Sequence, residues 1–178
     1  MSSYPDISIT NDFLTDHAAL FSGWVEGVEW DQRMRGRKSA AFGVPFDEAP
    51  LSDAFPSDLQ RIAGRVTARL GWAPNSCLLE YYPQRRSSKG MATEPVERLE
   101  PNTAIAVVSV GAPRVMVFER DDGSDVFGRE LGPGSLMVMS IASQIGWRHA
   151  VPARAGVGPR ISATFRRVVP DTAHAQTG

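Results

Sequence analysis

His149, Arg160 and Arg166 stand near the end of the chain, eleven and then six positions apart. An imidazole can ligate a metal or move a proton near neutral pH. An arginine offers a planar fork that matches a carboxylate. On a strand of period two, residues six apart share a face, so Arg160 and Arg166 would point the same way. If that face walls a cavity, both can grip an anion; on an edge strand they are ordinary surface arginines. Upstream, Glu94 supplies a carboxylate that could form a general acid/base pair with His149. Standing before Pro95, it could equally be an exposed loop acid. The other histidines are His17 and His174, and His174 lies in a small, polar C-terminal stretch that suits catalysis poorly. Cys77, the one cysteine, sits in the apolar run Cys77-Leu78-Leu79 and reads as a buried structural thiol.

Around these residues the chain reads as short β-prone runs broken by Gly, Pro, Asp and Asn. The runs are Cys77 to Tyr82, Ala104 to Val110, Arg114 to Glu119, Ser135 to Ile141 and Arg160 to Val168. Two helices precede them. One is capped at Thr15 and runs to about Gly27; the other is capped at Ser57 and closes at Gly71, with Leu59, Ile62, Val66 and Leu70 at helical spacing. Residues from Pro45 to Pro56 read as a loop. Trp147 reads as core rather than as a substrate platform. The expected class is α+β, mainly β: a barrel or sandwich with N-terminal helices packed on one face. One domain is expected over residues 1–168, with a disordered tail over 169–178.

The 178 residues carry 19 basic and 20 acidic side chains, a net charge of -1. That balance weighs against nucleic acid as a partner, since duplex binders carry a basic excess or a basic face. One cysteine excludes an internal disulfide. The N-terminus lacks the pattern of a secretory signal, and no apolar run reaches the roughly 18 residues of a membrane span. A soluble cytoplasmic protein is expected.

Several motifs in order carry a resemblance. Trp147-Arg148-His149-Ala150-Val151-Pro152, followed by Arg160-Ile161-Ser162-Ala163-Thr164-Phe165-Arg166, resembles the end of the AlkB-like iron(II)/2-oxoglutarate oxygenases. Asn75 to Tyr82 is similar to that family's strand before the metal loop. Ile105 to Phe118 and Leu131 to Met139 are similar to later strands, and Arg37 to Gly43 to an N-terminal segment. The likeness spans residues 37–168 and implies a double-stranded β-helix, a jelly-roll of cupin-like form. It also implies that His149 binds iron, that Tyr82 and Arg160 contact 2-oxoglutarate, and that Arg166 lies near the metal.

The family's iron site uses two histidines and a carboxylate on one face. By the resemblance, its His-x-Asp pair falls at Ala92 and Glu94, and alanine cannot ligate. Glu80 stands where the family usually carries an asparagine near the co-substrate, and a carboxylate there repels 2-oxoglutarate unless protonated or paired. The acidic loop Asp47 to Asp53 replaces aromatic substrate contacts. The resemblance therefore implies a divergent enzyme that has lost the standard iron site. It would catalyse a redox-neutral cyclisation, isomerisation or elimination on a small molecule, a carboxylate among the candidates, in a biosynthetic pathway. Glu94 and His149 would do its acid/base work, with Glu80 in the substrate pocket. The first alternative is an active oxygenase with iron(II) held by His149, Glu94, 2-oxoglutarate and water. The second is a non-catalytic binding module or nucleic-acid-associated relative, using the basic runs Arg33 to Lys38 and Arg85, Arg86, Lys89. Iron(II) and 2-oxoglutarate are cofactors only if the ancestral chemistry survives.

Overall fold

The structure, a computed structural model, describes residues 4–47 and 49–170. In chain order it runs β1 (Ile7–Thr10), α1 (His17–Gly27), β2 (Lys38–Gly43), α2 (Ser57–Leu70), β3 (Ser76–Tyr82), β4 (Lys89–Ala92), β5 (Ala104–Gly111), β6 (Arg114–Arg120), β7 (Val126–Leu131), β8 (Leu136–Ser140), β9 (Trp147–Val151) and β10 (Arg160–Arg166). The strands form a six-stranded sheet, β1-β8-β5-β10-β3-β2, and a four-stranded sheet, β4-β9-β6-β7. Every paired strand runs antiparallel to its neighbour.

Two apolar clusters explain why the larger sheet is buried on both faces. On its outer face Cys77, Leu79, Val108, Ile161, Ala163 and Phe165 pack against Leu20 and Trp24 of α1 and Leu59, Ile62 and Val66 of α2. On its inner face Tyr82, Ile105, Val107 and Met137 meet Met116, Phe118, Trp147 and Val151 of the smaller sheet. This is the double-stranded β-helix with both helices against one face, as the sequence predicts. Burying each large aliphatic of α2 contributes roughly 1.5–3 kcal/mol.

The differences are local. α1 starts at His17 rather than after a Thr15 cap, and Asp16, at the cap position, makes no side-chain cap. Its carboxylate instead accepts a hydrogen bond from Arg61 Nη2 of α2 at 2.5 Å. Ser57 is the first helical residue of α2, with Pro56 in the cap position, while Gly71 closes the helix in the left-handed region at φ 79° as predicted. Strands β1, β2, β4, β7 and β9 have no counterpart among the predicted runs. They are short or lie under basic and alanine-rich sequence, where periodicity is weak. Gly43 ends β2 at φ +80°; a Cβ there would sit 2.2 Å from the Asn75 carbonyl oxygen, so the close approach of backbone requires glycine. The expected tail falls mostly on residues 171–178, outside the described residues, where His174 also lies. Val169 is described, its N–H donating to the Arg98 carbonyl at 2.9 Å. No described helix is long and apolar enough to cross a membrane.

Candidate functional site

Alternation along β10 separates its two jobs. Ile161, Ala163 and Phe165 face the helices, while Arg160, Ser162 and Thr164 line the space between the sheets. β3 pairs with β10 so that Tyr82 lies opposite Arg160 and Glu80 opposite Ser162, on the same face. β9 adds His149, β4 adds Lys89, and Glu94 enters two residues beyond β4. All six residues singled out from sequence, Glu80, Tyr82, Glu94, His149, Arg160 and Arg166, are buried at this place in the barrel.

The charges inside are paired in a definite way. Arg166 Nη2 donates to Glu94 Oε1 at 2.7 Å, with side-chain exposures of 1% and 6%. The guanidinium also lies 4.6 Å from the ring centroid of Phe46, at the start of the acidic loop. Arg37 Nε donates to Glu80 Oε1 at 2.5 Å, and Lys89 Nζ stands 3.6 Å from Glu80 Oε2. Arg160 Nη2 donates to Ser109 Oγ at 2.8 Å. Its Nε and Nη1, and the Tyr82 hydroxyl, make no well-formed hydrogen bond among the described residues, although the hydroxyl interacts with the Arg160 guanidinium beside it. The Tyr82 ring lies 5.5 Å from Arg160 Cζ and 5.8 Å from Arg114 Cζ. Arg114 is engaged elsewhere, donating to the Ser87 and Gln84 carbonyls at 3.1 and 2.9 Å. The space left between the side chains is about 10 Å³, room for one water molecule. Of the cluster, Arg37 and Lys89 reach solvent most, at 14% and 17% exposure.

These surroundings set the protonation states. Burial raises the Glu94 carboxyl, but Arg166 outweighs it and leaves the group below the usual carboxylate range. Glu80 is also lowered, burial being outweighed by Lys89 and Arg37. Burial, reinforced by Lys89, pushes His149 down to about 4 against the pull of Glu94. Burial lifts the Tyr82 hydroxyl well above its ordinary value. At neutral pH Glu94 is therefore an anion and His149 a neutral ring; both can accept a proton and neither carries one to give.

A stability consequence follows from His149. Its folded pKa is depressed, so between about pH 6.5 and 4 the unfolded chain takes up a proton that the folded chain refuses. Glu80 and Glu94 add to this: their lowered pKa values give stability above the ordinary carboxylate pKa that is lost as pH falls through the folded values. Urea unfolding should show stability falling from pH 6.5 to 4, with His149 alone contributing on the order of 3 kcal/mol. A His149→Phe variant with the same fall would remove the imidazole as its cause.

Two groups can be tested against the site. A carboxylate of 2-oxoglutarate fits Arg160 and Tyr82, which keep buried polar atoms outside any well-formed hydrogen bond. Iron does not fit. Ala92 is the residue that pairs with His149 across β4 and β9, Glu94 is held by Arg166, and among the described residues no three His, Cys, Asp or Glu side chains converge to hold a metal.

Arg37 and Lys89 lie in basic runs that the sequence alone places on the surface, yet both are turned into the barrel. The register shifts between Lys89 and Ala92, so period-two counting along β4 does not relate one to the other. The basic runs do form a surface as well. A groove of about 250 Å³ is lined by Arg37, Lys38 and Arg86 with no acidic residue, and Arg33, Arg35 and Arg85 are exposed beside them in sequence.

Comparison with known proteins places the chain. The family described as the 2OG-Fe(II) oxygenase superfamily matches residues 17–166. "DNA oxidative demethylase ALKBH2" of Bos taurus is 31% identical over 123 residues, covering 64% of this chain and 44% of the relative. "Alpha-ketoglutarate-dependent dioxygenase alkB homolog 3" of Bos taurus is 28% identical over 182 residues, covering 89% of this chain and 64% of the relative. The chain spans about half the length of the ALKBH2 relatives it matches. Among solved structures, "The structure of OsALKBH1" superposes with a TM-score of 0.72 at 12% identity, over 94% of this chain and 99% of that one. A prolyl-4-hydroxylase of Pseudomonas putida superposes with a TM-score of 0.54 at 16% identity, over 92% and 93%. Both show the shared fold. The ALKBH2 relatives, DNA demethylases by name, overturn the expectation that weighed against nucleic acid. The physical reason is that a net charge of -1 sums the whole chain and says nothing about a local basic groove. Motifs, fold and matched residues agree: the chain is an AlkB-like member of the 2OG-Fe(II) oxygenase superfamily.

Proposed function

We propose that this chain, acting as one domain over residues 1–168, is an enzyme that binds a carboxylate at Arg160 and Tyr82 and works without the family's iron, by redox-neutral chemistry on a small molecule. The observation that carries the reading is the buried guanidinium of Arg160, with Nε and Nη1 in no well-formed hydrogen bond and only the Tyr82 hydroxyl and Ser109 as side-chain hydrogen-bonding groups against it. A buried cation without an anion is costly, and a bound carboxylate relieves that cost with charge-assisted hydrogen bonds. Glu94 and His149 are bases at neutral pH. The chemistry open to an unprotonated pair is removal of a carbon-bound proton near the carboxylate; in an isomerisation that proton is returned, and in an elimination a leaving group departs instead. Arg160 would stabilise the charge that develops on the substrate.

Two measurements test this. Calorimetric titration of the full chain with 2-oxoglutarate in excess EDTA should give saturable binding that Arg160→Met abolishes. Absence of binding by the parent, or unchanged binding by the variant, would overturn the carboxylate site. In deuterated buffer, proton NMR should show the parent accelerating exchange of carbon-bound protons of 2-oxoglutarate, with His149→Ala and Glu94→Gln slower by about 10²–10⁴-fold. Exchange unaffected by both changes would remove the acid/base roles.

A second reading has its own support. The groove of Arg37, Lys38 and Arg86 is suited to a phosphate backbone, and relatives named DNA demethylases make nucleic acid a reasonable partner. Binding to single- or double-stranded DNA should weaken with salt, the slope of log K against log salt being roughly -0.7 to -0.9 per phosphate engaged. No binding at low salt sinks this reading and leaves the first one standing.

A further inference from the structure

A cavity of about 440 Å³ lies outside the barrel, on the helix-covered face of the larger sheet. It shares no lining residue with the space between the sheets, which holds about 10 Å³, and its volume is that of a small-molecule site. Trp24, Phe42, Leu59 and Leu79, all buried, form its floor, and Leu51, 49% exposed, stands at its rim. Two carboxylates line it, Glu29 and the half-buried Asp58; among the described residues no lysine, arginine or histidine does. Asp58 is fixed in place, its Oδ2 accepting from Trp24 Nε1 and its Oδ1 from the Leu59 N–H at 2.8 Å. Both donors are neutral, so its charge is left without a cation in contact. The C-terminal end of α1 opens on the cavity at Gly27 and Val28 with no basic residue in its last turn, and the negative end of the helix dipole adds to the two carboxylates. Gly23 and Gly27, one turn apart on α1, line the same cavity, and a Cβ at either would meet nothing within 4 Å. Glycine is the least favourable helical residue after proline, and no neighbour requires it here; what the two glycines keep is the open space.

We propose that this cavity is a second binding site, for a small organic cation: an ammonium carried on an apolar body. The ammonium lies on Asp58 and Glu29, and the body covers Phe42, Leu59 and Leu79. Charge complementarity selects this class. An anion would face two carboxylates and the negative end of a helix, and a neutral molecule would gain only the apolar floor. Asp58 carries most of the selection, because it is half-buried and already oriented, whereas Glu29 is exposed and screened by solvent. The site does not depend on the chemistry inside the barrel. It does lie on the reverse of β3, since Leu79 faces the helices while its neighbour Glu80 faces the barrel.

Three probes of one shape test it by calorimetric titration of the full chain at neutral pH: 2-phenylethylamine as its ammonium, 2-phenylethanol, and 3-phenylpropanoate. The ammonium should bind saturably and roughly 10-fold more tightly than the alcohol, the factor that one charge-assisted hydrogen bond is worth, and the anion should bind more weakly than either. Asp58→Asn should remove most of the preference for the ammonium and leave the alcohol unchanged, because the amide oxygen still accepts from Trp24. Glu29→Gln, on an exposed side chain, should remove the smaller remainder. Gly23→Leu should weaken the ammonium and the alcohol alike by filling the cavity, while a thermal melt shows the variant at least as stable as the parent, leucine being a strong helix former. No saturable binding of the ammonium, an alcohol or anion that binds as tightly, or a preference that survives Asp58→Asn with Glu29→Gln would overturn the cation site. Undiminished binding by a folded Gly23→Leu would show that the ammonium sits elsewhere and would overturn it too.

Discussion

Replacing Glu94 with alanine should destabilise the fold by about 3–5 kcal/mol, the usual penalty for removing one partner of a buried ion pair. Arg166 is 1% exposed, its Nε has no partner, and its link to Glu94 is a 2.7 Å hydrogen bond from Nη2. Alanine would leave that guanidinium beside Phe46, Cys77 and Leu78, with Asp47 as a remaining carboxylate near it. At about 2–4 °C per kcal/mol for a chain of this size, the melting temperature should drop by roughly 10 °C. Glu94→Gln should cost less, because the amide oxygen still accepts from Arg166 although the charge is gone. The double variant Glu94→Ala, Arg166→Met should recover much of the loss, since removing both charges also removes the unpaired cation. The comparison is made by urea unfolding of the three variants. If the single alanine variant is as stable as the double, the pair does not govern this part of the core.

Introducing one imidazole at position 92 should give a tight metal site. Ala92 pairs with His149 in the β4–β9 register, and directly opposed strand residues hold their Cβ atoms about 4.5–5.5 Å apart. A histidine at 92 would therefore stand beside His149, with Glu94 two residues on, giving two imidazoles and a carboxylate, the donor set of the family's iron site. Losing an outer-shell group costs a metal site about 10–100-fold in affinity, and a missing ligand should cost more. Ala92→His should accordingly bind cobalt(II) at least about 100-fold more tightly than the parent, read from the visible cobalt spectrum or by calorimetry. Glu94 must leave Arg166 to ligate, so metal should also lower the variant's stability gain from that pair. A parent that binds cobalt(II) as tightly as the variant would show that two protein donors suffice and would revive the reduced-site oxygenase.

The two predictions differ in where their grounds were legible. That residue 92 is alanine where the family resemblance expects a histidine can be read from sequence, and His17, His149 and His174 are the only imidazoles in the chain. The Arg166–Glu94 pair cannot. It joins residues 72 apart, and nothing in strand periodicity says which charge will meet which. Arg37 and Lys89 carry the same lesson. In sequence they belong to hydrophilic basic runs, which are usually solvated surface. In the fold they close on Glu80, a residue 43 positions from Arg37, and turn a repulsive carboxylate into a paired one.

The order of motifs, the two helices and most of the long strands, the shared face of Arg160 and Arg166, and the alanine at 92 are all legible along the chain. Those are local or periodic properties, and period and spacing are written along the chain. The fold places β10 between β3 and β5 in the centre of the larger sheet, so its arginines are buried rather than on an edge. The fold also matches Arg166 with Glu94 and brings Arg37 and Lys89 onto Glu80, while two nitrogens of Arg160 are left without a well-formed hydrogen bond. Strand order and cross-strand register set which distant side chains meet, and burial then makes each unmatched charge costly enough to matter.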